Sequence, residues 1–416
     1  MNAASRMLSD AALQVAQAQA LIQGMVRRVE QQQTLALHDA LGRVLAQDIV
    51  SPIDVPPHDN AAMDGFALRA GELRADAPTP LCIAGEGLAG QAFTGVVPPQ
   101  ACVRITTGAL MPPGLDTVVP RELTTIDAEG RVLVPAGQLR RGDHRRRAGE
   151  DLARGQVALA AGRLLRPADL GLLASLGRAE VPVWRRLRVA FFSTGDELRS
   201  AGEPLGSGCI YDSNRYTVWG MLQRLGVEAI DLGIVPDDPA ALRAAFGHAA
   251  ARADAIVTSG GVSVGEADHT KRVMAELGEV LFWQIAMRPG RPLAVGRIGN
   301  AMLFGLPGNP VAVMVSFYAF VRDALLRMAG ATPFTLPMLR ACSVAPIRKK
   351  PGRTEYQRGF VERSADGEWR VTITGDQGSG ILRSMSEANG MVVLPHDMGP
   401  VAAGEAVDVL PFDALV

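Results

Sequence analysis

The chain has 416 residues, 48% hydrophobic and 20% charged, with a formal net charge of −1. This balance excludes a disordered polymer and leaves no global basic field to draw nucleic acid or an anionic membrane. Only Lys271, Lys349 and Lys350 are lysines, so 39 of the 42 basic residues are arginine and no Walker-type G-x-x-x-x-G-K occurs.

The four cysteines lack C-x-x-C spacing, which argues against a zinc ribbon or a disulfide scaffold. No apolar leader segment is evident, and the most apolar run, 311–321, is far short of the ~20 residues of a bilayer span. A reducing cytoplasmic setting is therefore expected, with no membrane or nucleic-acid partner. In chain order, residues 9–29 show helical apolar spacing, with Ser9 as N-cap and Arg27 and Arg28 in the last turn. A second helix is expected over 38–46. From 51 to 149, proline pairs separate short apolar runs, the texture of a small β-rich domain. Helical spacing returns over 164–176. The β-rich block, 51–149, thus reads as inserted into an elongated helical domain formed by 1–50 and 150–185.

Residues 186–330 alternate strands (187–193, 229–235, 255–258, 280–287, 302–306) with helices (214–225, 239–252, 266–277, 310–329). Such alternation predicts a doubly wound, mainly parallel α/β sheet covered on both faces. Pro239 after Asp238 and Pro310 after Asn309 mark two helix starts. Short strands between 339 and 410 predict a small β-barrel-like domain over 335–416.

Two motifs are decoys or rivals. Gly85-Glu86-Gly87-Leu88-Ala89-Gly90 matches the dinucleotide fingerprint, but Pro98-Pro99 soon follows and no helix opens, so a turn is expected. Gly261-Val262-Ser263-Val264-Gly265 matches a nucleophile elbow between a strand and a helix, which makes a serine hydrolase the minor alternative.

Ligands of an open parallel sheet gather at the carboxyl ends of its strands. Three loops there carry unusual chemistry: Ser193-Thr194-Gly195-Asp196-Glu197, the run Ser259-Gly260-Gly261-Val262-Ser263 continuing to Asp268, and Pro307-Gly308-Asn309-Pro310. Small residues let backbone N–H groups approach an anion, and the helices behind add positive dipole ends. Glu197 and Asp268 conflict with an anion unless Mg²⁺ bridges them, and Asp237 and Asp238 are candidates to join. One such loop alone would read as a cap or a turn; three on one edge point to function. In Arg288-Pro289-Gly290-Arg291-Pro292, prolines stiffen a loop holding two guanidiniums, which suits an oxyanion.

Together these residues, with Asp59-Asn60-Ala61-Ala62-Met63-Asp64-Gly65, resemble the MoeA-type molybdopterin molybdenumtransferases, the family of the gephyrin E domain. The resemblance runs over essentially the whole chain. It implies four domains, a homodimer with a shared active site, and Mg²⁺-assisted insertion of molybdenum from molybdate into adenylylated molybdopterin with release of AMP. By motif it implies roles for Asp64, Thr107, Asp151, Glu197, Asp238 and Asp268, with Glu197, Asp238 and Asp268 as metal ligands. Substrate contacts fall on Ser193, Thr194, Gly195, Ser259, Gly260, Gly261, Ser263, Gly308 and Asn309.

The anion would meet Arg288, Arg291, Arg353 and Ser379, the last two expected to reach the α/β edge from a partner subunit. A molybdopterin adenylyltransferase and molybdoenzymes are further partners implied. Two departures stand out: arginines replace the family's usual lysines at 288 and 291, and Ala61 replaces a usual serine. Tungsten insertion and a non-catalytic gephyrin-like scaffold are the alternatives.

Overall fold

The computed structural model describes residues 12–262, 269–333 and 335–414. At its centre is a six-stranded sheet. Numbering only this sheet and its helices, β1 is Arg188–Thr194, α1 Ser213–Arg224, β2 Glu228–Val235, α2 Pro239–Arg252 and β3 Ala255–Ser259. Then come α3 His269–Leu277, β4 Gly278–Gln284, β5 Pro292–Ile298, β6 Ala301–Leu306 and α4 Pro310–Ser316. The order is β2-β1-β3-β6-β5-β4. The first four strands are parallel, and β5 and β4 complete the sheet antiparallel.

Strand alternation explains the double winding. Val189 and Phe191 pack with Val311 and Val315 of α4 on one face, while Ala190 and Phe192 pack with Leu242 and Phe246 of α2 on the other. Both strand faces are apolar because helices bury both, each large side chain contributing about 1.5–3 kcal/mol. Phe192 and Phe246 meet edge to face at 5.1 Å.

The expected strand 280–287 is two pieces, and β5 was not anticipated, since Pro292 opens it directly from an arginine–proline loop. The helix expected over 310–329 is continuous but contains a π-helical stretch, Phe317–Val321, before Arg322–Met328.

A six-stranded sheet ordered Thr117–Pro120, Gly65–Leu68, Ala101–Ile105, Thr79–Gly87, Val132–Val134, Thr125–Ile126 forms the inserted region. Its entry and exit run side by side, Ile49–Val50 pairing antiparallel with Val157–Leu159. The Gly85–Gly90 motif lies at the end of Thr79–Gly87 and runs into a turn closed between Leu88 and Gln91.

Among its described residues, the surrounding segment is less helical than expected. Its helices there are Val15–Met25 and Pro167–Ser175, beside an antiparallel pair, Gln32–Ala36 with Glu180–Trp184. Ser9 lies outside the described residues, and Arg27 and Arg28 follow the helix instead of ending it. The helix expected over 38–46 is only a short turn, Leu37–Asp39. Gly42 adopts φ +69°, and Val44 and Leu45 bridge to Leu164 and Val183 as extended chain.

In the C-terminal region, Thr354–Arg363, Trp369–Ile373, Leu339–Ser343, Ala406–Pro411 and Gly390–Leu394 follow one another around a closed barrel, the first pairing with the last. Closure leaves no strand edge open within it. Among the described residues, no helix is long and apolar enough to cross a membrane.

Candidate active site

A cavity of about 1270 Å³ opens where the carboxyl ends of β1, β3 and β6 meet the barrel. From the sheet side, Thr194, Gly195, Gly260, Gly261 and Gly308 bring backbone to its wall. Two glycines hold backbone conformations that a side chain would disturb. Gly260 has φ +90°, and a Cβ there would lie 2.6 Å from the Thr194 carbonyl oxygen; at Gly195, φ +147°, a Cβ would meet the Glu197 carboxylate at 2.5 Å. The β1 and β3 loops are thus held close enough to present their backbone to one ligand.

The hydroxyls beneath are committed to the protein. Ser193 Oγ donates to Asp212 Oδ1 at 3.0 Å and lies 3.0 Å from Ser259 Oγ. With Ser193 donating onward, Ser259 donates to Ser193. Ser193 is buried and does not line the cavity, whereas Ser259 does. Asp212 also caps α1 by accepting from Arg215 N–H at 3.1 Å. Asn214 Nδ2 donates to the Gly308 carbonyl at 2.7 Å, fixing the β6 loop against α1. Asp212 and Asn214, absent from the site expected from sequence, were signalled only by a short polar run, Asp212-Ser213-Asn214, ahead of a helix.

Among the acids, Glu197 lines the cavity and is exposed to it. Asp238 does not line it: its carboxylate caps α2, accepting from Ala241 N–H at 2.8 Å. Its neighbour Asp237 does line the cavity, and Asp237 Oδ1 is buried without a hydrogen-bond partner. Ser263 and Asp268 lie outside the described residues. No cluster of three or more metal-ligating side chains occurs among the described residues. Glu197 and Asp237, the latter with an orphaned oxygen, nevertheless both line the cavity as hard oxygen donors, which fits Mg²⁺, a cation commonly held by one or two carboxylates plus substrate phosphates.

The opposite wall is cationic. Arg288 and Arg291 line the cavity, are exposed to it, and have no carboxylate partner among the described residues. Arg353 joins them, its Nε donating to Glu355 Oε1 at 2.9 Å. Glu355 is buried and also accepts from Gln357 Nε2 at 3.1 Å. Arg353 and Ser379 reach this wall from the same chain, which corrects the expectation of a partner subunit. The reason is a pair of stitches between sheet loops and barrel. Met287–Arg288 pairs in parallel with Thr354–Glu355, and Val311 N–H donates to the Ser379 carbonyl at 3.0 Å while Asn309 Nδ2 donates to Ser379 Oγ at 3.0 Å.

Asp64, Thr107 and Asp151 do not line this cavity. Thr107 donates both its N–H and its hydroxyl to Asp64 Oδ1, each at 2.7 Å, and these bonds hold the exposed Asp64 carboxyl below its ordinary value. Close by in sequence, Asp59 accepts from Ala148 N–H at 2.8 Å and pairs with Arg145. Asp151 N–H donates to the Val55 carbonyl.

This geometry accords with three family models that tile the chain: the MoeA N-terminal region over residues 13–177, a probable molybdopterin binding domain over 190–327, and the MoeA C-terminal region over 341–412. A molybdopterin molybdenumtransferase of Haemophilus influenzae is 43% identical over 388 residues, covering 93% of this chain and 95% of its own. The chain belongs to the MoeA family. Molybdopterin molybdenumtransferase 2 of Mycobacterium tuberculosis is 36% identical over 90% of this chain and 94% of its own. The crystal structure of a molybdopterin biosynthesis MoeA protein from Pyrococcus horikoshii superposes with a TM-score of 0.84 at 28% identity, covering 97% of this chain and all of that one. MoeA membership places the four-part layout, β-rich insertion and terminal barrel within one known architecture.

Proposed function

We propose that this chain transfers molybdenum from molybdate to adenylylated molybdopterin, releasing AMP in molybdenum cofactor biosynthesis. One observation carries the reading: a single cavity joins a wall of glycine backbone and carboxylates to a wall of three arginines, of which Arg288 and Arg291 have no carboxylate partner among the described residues. The names of the curated relatives support it, and they lend nothing to the hydrolase, tungsten or scaffold alternatives.

The glycine loops would receive the phosphates, N–H groups forward, and keep the anhydride fixed against the sheet edge. Arg288, Arg291 and Arg353 would hold the oxyanion across the cavity, offsetting the repulsion between two anions brought together. Glu197 and Asp237 would hold Mg²⁺, which when bound neutralises phosphate charge and polarises the anhydride. Arginines at 288 and 291 offer planar donor forks where a lysine offers a compact charge.

Asp64, Thr107 and Asp151 fall outside this chain's own cavity, so a homodimer that lends them to the neighbouring cavity gives them a role. Incubating the protein with adenylylated molybdopterin, molybdate and Mg²⁺ tests the reading. AMP release with formation of active cofactor is expected; intact substrate after prolonged incubation would sink it.

A further inference from the structure

We propose that Arg358, which does not line the cavity, is a positioning residue that turns the 376–379 loop carbonyl-inward and so aims its N–H groups at the oxyanion end of the cavity. The inference rests on the reading of the arginine wall as an oxyanion site.

Arg358 is fully buried on the barrel strand Thr354–Arg363. It has no carboxylate within ion-pair distance among the described residues. Its guanidinium is spent on one loop: Nη2 donates to the carbonyls of Asp376 at 3.2 Å and Gly378 at 3.0 Å, and Nη1 to that of Gln377 at 3.3 Å. Nε donates to Ser384 Oγ at 3.1 Å. Burial pulls this arginine down to about 10, still well above neutrality, so it stays charged. A buried cation neutralised by three carbonyl dipoles is costly to build, and a plain loop anchor would not need it.

The consequence follows from the planar trans peptide, in which C=O and N–H point in opposite directions. The only cis bonds among the described residues are Val55–Pro56 and Arg288–Pro289. Three successive carbonyls aimed at Arg358 therefore turn the N–H groups of residues 377, 378 and 379 away from it. The Gly378 N–H is taken by Asp376 Oδ1 at 2.9 Å, whereas the Ser379 N–H has no acceptor among the described residues. Ser379 lines the cavity, and its Oγ already accepts from Asn309 Nδ2 at 3.0 Å, which leaves its own proton to donate. N–H and O–H of Ser379 thus form a two-donor rim of the cavity that Arg288, Arg291 and Arg353 also line, an arrangement that binds anions by backbone dipoles as well as charge. Arg358 sets that rim without reaching it.

The test is Arg358→Lys in the full-length protein, titrated separately with molybdate and with AMP. Lysine keeps the charge but cannot span three carbonyls and a hydroxyl. Molybdate should bind about tenfold more weakly, the fold-change expected when one hydrogen bond to a charged ligand is lost, with AMP affinity within about twofold of wild type. A folded Arg358→Lys with unchanged molybdate binding, or with both ligands weakened equally, would overturn the proposal. If that variant does not fold, Ser384→Ala, which removes the Nε anchor together with the Ser384 hydroxyl's bond to the Ile381 carbonyl, must show the same selective loss in smaller measure; unaltered molybdate binding there overturns it too. Wild-type protein that binds AMP but not molybdate would instead refute the underlying reading of the arginine wall, and the proposal with it.

Discussion

Gly260→Ala should damage the nucleotide side of the cavity far more than Gly308→Ala, although both add one methyl at the same sheet edge. At Gly260 the new Cβ would lie 2.6 Å from the Thr194 carbonyl oxygen and 2.9 Å from its hydroxyl, on a backbone at φ +90°. The obstructing carbonyl belongs to β1 and cannot swing aside. The positive φ costs about 1–2 kcal/mol, and relieving the clash requires the two loops to separate by several tenths of an ångström, for roughly 2–4 kcal/mol in all. At Gly308 the nearest heavy atom would be the Gly260 Cα at 3.9 Å, an ordinary contact, and no positive φ is involved.

Titrating AMP into each variant should show Gly260→Ala binding about 10- to 100-fold more weakly, with Gly308→Ala close to wild type. Molybdate binding, which depends on the opposite wall, should change little in either. Equal AMP affinity in the two variants would refute the claim that β1 and β3 loops are held in contact to form a phosphate cradle.

Three further outcomes are expected. In subunit exchange, an inactive Glu197→Gln chain should regain activity when mixed with Asp64→Ala, because a heterodimer then keeps one intact composite site; mixed with Arg353→Ala it should not, since both residues line the cavity of one chain. Recovery in the second mixture would contradict the assignment of Arg353 to its own chain's site. Asp237→Asn should slow AMP release most at limiting Mg²⁺, while Asp238→Asn, which preserves the cap on α2, should act nearly as wild type; the reverse order would return the metal role to Asp238.

For Asp254, burial opposes ionisation, but the Arg185 fork at 2.6 and 2.7 Å and the Arg188 N–H outweigh it and lower the carboxyl below 3.8. Its stabilising contribution is therefore complete above the ordinary carboxylate value and is lost as pH falls through the lower folded value. The thermal midpoint of Asp254→Asn should trail wild type at neutral pH and converge on it as the pH falls through the lowered carboxyl value; a constant gap would deny the pair that role.

The sheet and its site were legible where local chemistry and global position agree. Asp238-Pro239 and Asn309-Pro310 start helices as capping rules demand, and glycine runs after β1, β3 and β6 line one edge because parallel strands share one carboxyl end. The helix expected over 38–46 failed because Gly42 takes a left-handed backbone and tertiary pairing claims Val44 and Leu45. Strand β5 carries no start signal of its own, because it opens inside the rigid arginine loop at Pro292.

At the site, Asp238 outranked Asp237 by motif, although a carboxylate that caps a helix is already engaged. Arg353 was assigned to a partner because nothing in a linear sequence shows the two-residue ladder between 287–288 and 354–355 that folds the barrel back onto its own sheet. Arg358 gave no signal, since a buried arginine and an exposed one look alike until the carbonyls around it are placed.

The central claim is that anhydride cleavage and oxyanion capture occur together in this one cavity. The most direct measurement is the stoichiometry of AMP released to molybdenum retained on molybdopterin in a single turnover, with and without molybdate. One AMP per molybdenum, with little AMP formed when molybdate is withheld, is the predicted result. AMP released at the same rate without molybdate, or molybdenum inserted with the anhydride intact, would contradict the account.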